Sequence, residues 1–121
     1  FLGLTIPENN SVMFGSLSGN KLGIWVAHGE GKFSLPEAES EYNVIAKYSY
    51  AGYPGNPNGS DYNVAGICSK DGRHLAMMPH LERAIFPWQN AWYPADRRAD
   101  DVTPWIEAFV NARKWIEEKT K

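Results

Sequence analysis

Two apolar runs, Val64-Ala65-Gly66-Ile67-Cys68 and His74-Leu75-Ala76-Met77-Met78, flank Lys70-Asp71-Gly72-Arg73. No other stretch limits the fold as much. Asp-Gly supplies the positive φ that tight turns need, so runs of strand length on either side close into an antiparallel hairpin. The second strand cannot continue. Pro79 has no N–H for a ladder, and it pushes Met78 to an extended backbone. The chain therefore leaves the sheet at Pro79 and delivers His80-Leu81-Glu82 just beyond it. On an extended backbone positions i and i+2 share a side, whereas on a helix they stand about 200° apart. If extended, Glu82 reaches one imidazole nitrogen of His80 and leaves the other for a substrate. That is a general base held in one tautomer by a carboxylate. A plain surface His–Glu pair has the same spacing.

The remaining elements follow from period and punctuation. Phe1 to Ile6 is β-prone and ends at Pro7-Glu8-Asn9-Asn10. Val12-Met13-Phe14 is a short apolar run that fits either period. Leu22-Gly23-Ile24-Trp25-Val26-Ala27 is a continuous apolar run and reads as a buried central strand. It delivers His28-Gly29-Glu30-Gly31, after which Lys32-Phe33 continues the strand. Leu35 to Glu41 reads as a short acidic helix with Ser34 as N-cap. Val44 to Tyr50 is a strand, and Ala51 to Ser60, with three glycines and two prolines, is an irregular loop. The closing helix is N-capped by Thr103 with Pro104 in its first turn. Trp105, Ile106, Phe109, Ala112 and Ile116 share one face, and Lys119 to Lys121 lie at its negative end.

Composition removes several classes of function. The chain has 121 residues, 43% hydrophobic and 21% charged, with a formal net charge of -2. That suits one globular domain and gives no electrostatic footprint for nucleic acid or an anionic membrane. No apolar run approaches the roughly 20 residues of a membrane span, and no signal peptide is visible. The single cysteine, Cys68, rules out an internal disulfide and a Cys-rich zinc site. It lies inside an apolar strand and reads as a small sheet residue rather than an activated thiol. The two His-x-Glu units, with His74, could supply metal ligands, but no helical zinc spacing and no Pro-Cys-x-x-Cys partner accompany them. The glycines around His28, Gly29 and Glu30 would let backbone N–H groups approach a carboxylate. A strand bend accounts for them equally well. The chain opens with Phe1 already in a strand, which reads as a processed product or a piece of a longer protein.

Three motifs stand in one order: Trp25-Val26-Ala27-His28-Gly29-Glu30-Gly31, Tyr53-Pro54-Gly55-Asn56-Pro57-Asn58-Gly59-Ser60 and Met77-Met78-Pro79-His80-Leu81-Glu82-Arg83. A tail follows, Asn90-Ala91-Trp92-Tyr93-Pro94 through Pro104-Trp105-Ile106 to Asn111-Ala112-Arg113-Lys114. Together they resemble the C-terminal glutaminase domain of the phosphoribosylformylglycinamidine synthase family, the large single-chain amidotransferases of purine biosynthesis. The resemblance covers nearly the whole chain. The family pattern Pro-His-Pro-Glu-Arg is changed here only at Leu81, between the two functional positions.

The resemblance implies an α/β fold, the C-terminal half of a flavodoxin-like class I glutamine amidotransferase domain. It implies a mixed sheet with a β-hairpin and a C-terminal helix. Residues 1–121 would form a partial domain whose nucleophile-bearing half precedes Phe1. His80 and Glu82 take the catalytic His and Glu positions of a Cys-His-Glu triad. His28, Gly29 and Glu30 take the glutamine-pocket position. The family's Gly-x-Cys-x-Gly-Cys-Gln elbow has no counterpart here, so the piece alone is expected to be inactive. The implied partners are glutamine, the missing half-domain and a synthase domain that binds ATP and magnesium. The fragment itself has no implied cofactor or metal, nucleic acid or membrane partner, and the implied location is cytoplasmic. A non-catalytic interaction module on the same scaffold is the alternative.

Overall fold

The computed structural model describes residues 1–120. Five strands, β1 (Leu2–Thr5), β2 (Lys21–Ile24), β3 (Asn43–Tyr48), β4 (Val64–Cys68) and β5 (Leu75–Met77), form one sheet in the order β2-β1-β3-β4-β5. One helix, α1 (Ile106–Lys119), follows them. Both expected end elements, the hairpin β4–β5 and the closing helix, are present. The sheet differs from expectation: every pairing described is antiparallel rather than mixed. A parallel pair needs a crossover, usually a helix. The connections among these strands carry only single 3₁₀ turns, and the α-helix comes after the last strand.

The hairpin forms where Asp-Gly placed it. Ser69 N–H donates to the His74 carbonyl at 2.8 Å, Gly72 N–H donates to Ser69 at 3.0 Å, and Gly72 holds φ at 75°. A side chain at Gly72 would also collide with the Asn10 backbone carbonyl. Gly72→Ala is therefore expected to destabilise by about 1–3 kcal/mol from the strained φ alone. The collision adds to this, and urea unfolding followed by circular dichroism should show an earlier midpoint.

Three local expectations are corrected. The run Leu22–Ala27 supplies an edge strand, because β2 pairs with β1 alone. Its outer side is nevertheless covered: the Trp105 indole N–H donates to the Gly23 carbonyl at 2.8 Å. The acidic helix at Leu35–Glu41 is only a 3₁₀ turn over Glu39–Glu41, and Ser34 caps nothing. Residues 33–35 are instead pinned to the loop before β4. Phe33 N–H donates to Ser60 Oγ, and Leu35 N–H to Asp61 Oδ2. Those bonds take the N–H groups that a helix start or a continued strand at Lys32-Phe33 would direct elsewhere. Thr103 does not cap α1, since its hydroxyl donates to the Ala84 carbonyl at 2.6 Å.

The core joins Leu4, Ile6, Ile24, Ile45, Tyr48 and Ala65 of the sheet region to Phe14 and Leu17 of the first connection. Trp105 and Ala108 seal it from the helix side, and Leu81 and Ala84 from beyond the hairpin. Asn111 fastens α1 to the first connection by donating to the Met13 carbonyl and Ser16 Oγ. The predicted helix face is only half used: Phe109 and Ile116 are exposed. Lys121, expected at the helix end, lies outside the described residues. The accessible surface is 7374 Å², against roughly 6,600 Å² expected from size alone for a compact chain of this mass.

Candidate active site

His80 sits where β5 has ended and the chain folds back over β2. Its backbone is extended (φ -113°, ψ 94°). Its N–H donates to the Trp25 carbonyl at 3.0 Å in an isolated antiparallel bridge. Glu82 does not lie on extended backbone. Residues Leu81–Arg83 form one 3₁₀ turn, with Leu81 and the following Ala84 buried. Those two anchors leave Glu82 on the outside of the turn. The expected contact is made all the same: His80 Nδ1 and Glu82 Oε1 are 2.8 Å apart. Leu81, the position that departs from the family pattern, is one of the anchors.

The charge logic follows from that contact. A carboxylate accepts only, so Nδ1 carries the proton it donates, and Nε2 keeps its lone pair. Among the described residues Nε2 makes no hydrogen bond. Burial pushes the Glu82 carboxyl up, but hydrogen bonds from His80 and from backbone, with the charges of His80 and Arg83, outweigh it and hold the pKa below its usual value. Glu82 is thus a stable anion at neutral pH. The side chains are 37% and 55% exposed, so the pair is open to a reactant arriving from outside.

His28 follows β2 on an irregular segment. Its Nδ1 is 2.8 Å from the Asn58 side-chain nitrogen, which also donates to the Gly31 carbonyl at 3.0 Å. Burial, and then the charge of His80, lower the His28 pKa. His28 lines a cavity of about 840 Å³ together with Phe1, Val26, Tyr50, Tyr53 and Pro57. Gly29 and Glu30 are exposed and do not line it. Nothing stands within 4 Å of where a Gly29 side chain would begin, so its backbone faces open space.

Among the described residues no three His, Cys, Asp or Glu side chains cluster closely enough to hold a metal ion. Cys68 is a half-buried sheet residue whose Sγ receives a hydrogen bond from Asn43 at 3.0 Å. Burial, with Asp71, pushes its thiol pKa up, opposite to what a nucleophile needs. Two contributors were not singled out from the sequence. Trp25 holds His80 through its backbone, and Asn58 holds His28 through its side chain. Both stand in the motifs that carry the family resemblance, Trp25 at the exit of β2 and Asn58 among turn residues.

A family model for the CobB/CobQ-like glutamine amidotransferase domain matches residues 1–116. The chain belongs to this family. A human protein named phosphoribosylformylglycinamidine synthase is 47% identical over 120 residues, covering 89% of this chain and 9% of that protein. An Arabidopsis thaliana protein named a probable chloroplastic or mitochondrial phosphoribosylformylglycinamidine synthase is 40% identical over 131 residues, covering 97% and 9%. The chain thus spans 9% of the length of these two relatives. The solved structure of PurLQS from Thermotoga maritima matches with a TM-score of 0.68 at 23% identity, over 96% of this chain and 46% of that one. That likeness shows the fold. Among the described residues no helix is long and apolar enough to cross a membrane.

Proposed function

We propose that residues 1–121 are part of the glutaminase domain of a phosphoribosylformylglycinamidine synthase and supply the His-Glu portion of its Cys-His-Glu triad. The observation that carries this is the 2.8 Å His80–Glu82 contact, which leaves Nε2 free as a base. Amidotransferase membership and the names of the relatives support it.

In this reading the nucleophilic cysteine and the oxyanion donors come from a part of the enzyme outside these 121 residues. His80 Nε2 takes the cysteine proton, and Glu82 stabilises the imidazolium that forms. The thiolate attacks the side-chain amide carbon of glutamine. His80 returns the proton to the departing nitrogen, and ammonia leaves. Water, deprotonated by the same base, hydrolyses the thioester to glutamate. Released ammonia reaches a separate synthase domain, which uses ATP and magnesium to convert formylglycinamide ribonucleotide to its amidine. His28, Gly29 and Glu30 border the glutamine site. The isolated piece is inactive because it lacks the nucleophile, and a cytoplasmic location belongs to the same proposal.

Glu82→Gln in the full-length enzyme tests the pair. The amide keeps an acceptor near Nδ1 but removes the anion. Glutamine-dependent synthesis is expected to fall by about 10²- to 10⁴-fold, with ammonia-dependent synthesis kept. The acid side carries a sign as well. Glu82 has a depressed pKa, so its support of His80 is intact at neutral pH and is lost only as pH falls through that lowered value. Unchanged glutamine use in Glu82→Gln would remove the pair from the mechanism.

A further inference from the structure

Trp25 meets the segment of the His–Glu pair twice. Its carbonyl accepts the His80 N–H at 3.0 Å, and its indole N–H donates to the Gln89 carbonyl at 2.7 Å. One residue thus holds both ends of the stretch from His80 to Gln89, which contains the Glu82 turn. Trp25, Arg83 and Gln89 line one cleft of about 520 Å³ there. Core packing does not account for the ring. It is half-buried, stands outside the core cluster and meets the Phe1 ring edge-on, at 5.0 Å between centroids.

We propose that Trp25 is a positioning residue for the base: its two bonds clasp the His80–Gln89 stretch and set the direction in which His80 presents Nε2. This rests on the glutaminase reading and goes beyond it. The clasp is needed because the ladders stop short on both sides. The β1–β2 pairing ends at the Leu2–Ile24 pair, so Trp25 lies beyond it. On the other side β5 ends at Met77, and Pro79 has no N–H to donate. The bridge past these two ends is Trp25 to His80. A single bridge sets a distance, and the second bond, through the ring, sets the direction.

The Gln89 end depends on the ring in the same way. Gln89 N–H donates to the Phe86 carbonyl, Gln89 Oε1 accepts from Phe86 N–H, and the Asn90 side chain donates to the Phe86 carbonyl. Those bonds close the turn on itself. Among the described residues the Trp25 indole is the hydrogen-bond donor that joins this turn to the end of β2. A general base must stand within hydrogen-bond reach of the proton it takes, and a misplacement of about 1 Å can cost about 10²-fold. Loss of the indole donor is therefore felt in the chemical step. The indole N–H is already taken by a backbone carbonyl, so it is not a donor to glutamine.

The test uses the full-length enzyme, with glutamine or ammonium chloride as nitrogen source. Trp25→Phe keeps an aromatic ring against Phe1 but cannot donate. It is expected to lower kcat with glutamine by about 10- to 100-fold. KM for glutamine should stay within about twofold of its original value, with ammonia-dependent synthesis retained. A second variant separates the bond from the shape. At position 25, benzothienylalanine carries sulfur in place of the indole N–H and keeps nearly the same outline. The same selective loss of kcat is expected there. Equal loss with both nitrogen sources would assign Trp25 a folding role. Unchanged kcat in the sulfur variant would point to packing rather than the bond. A raised KM with kcat kept would place the ring against glutamine. Each of these three results overturns the assignment. The glutaminase reading fails separately, through undiminished glutamine use in His80→Ala.

Discussion

His80→Ala in the full-length enzyme is expected to abolish glutamine-dependent synthesis, a loss of about 10⁴-fold or more, while synthesis from added ammonia continues. The two halves of that result have separate causes. The loss follows because Nε2 is the free base, and no other imidazole has a carboxylate on Nδ1 among the described residues. The sparing follows because little of the fold hangs on this side chain. It is 37% exposed and its side-chain bond goes to Glu82. The backbone bond to Trp25 survives in alanine. Exposed substitutions of this kind change stability by within about 0.5 kcal/mol. Steady-state assays with each nitrogen source decide it. Equal loss with both would assign His80 a folding role and remove it from glutamine chemistry.

The parts legible in the sequence are those set by neighbours along the chain. Asp71-Gly72 fixes a hairpin within ten residues, Pro79 ends its second strand, and the stripe from Trp105 onward gives α1 its period. The His80–Glu82 contact was also legible, though by a different backbone route. A 3₁₀ turn anchored by Leu81 and Ala84 brings the carboxylate round as well as an extended strand would. What was not legible depends on partners far away in sequence. The apolar Leu22–Ala27 run suits a central strand or an edge strand equally. The edge is made tolerable by an indole 82 residues later. Ser34 and Thr103 are good caps by local rules, but bonds to Asp61 and Ala84 decide their segments otherwise. Asn58 looked like turn chemistry because nothing local says that its amide meets His28.

Trp105→Ala is expected to produce the largest loss of stability in the chain, about 3–5 kcal/mol from the emptied volume. The ring is 1% exposed and packs against Phe14 at 5.8 Å between centroids. Its N–H is also the donor that covers the Gly23 carbonyl on the edge strand β2. Removing it both empties the core and bares that edge. Gly23 lies two residues before Trp25, whose backbone holds His80, so the damage should travel to the site. Hydrogen-exchange mass spectrometry on the full-length enzyme should show protection falling in both β2 and α1. Glutamine-dependent synthesis should fall with it. Trp105→Phe fills much of the space but cannot donate. It should keep most of the protection in α1 while β2 still exchanges faster, separating packing from the hydrogen bond. Trp88→Ala supplies the contrast, since that ring is 79% exposed and its loss should change stability by within about 0.5 kcal/mol. If Trp105→Ala cost no more than Trp88→Ala, the helix would not be what seals this core.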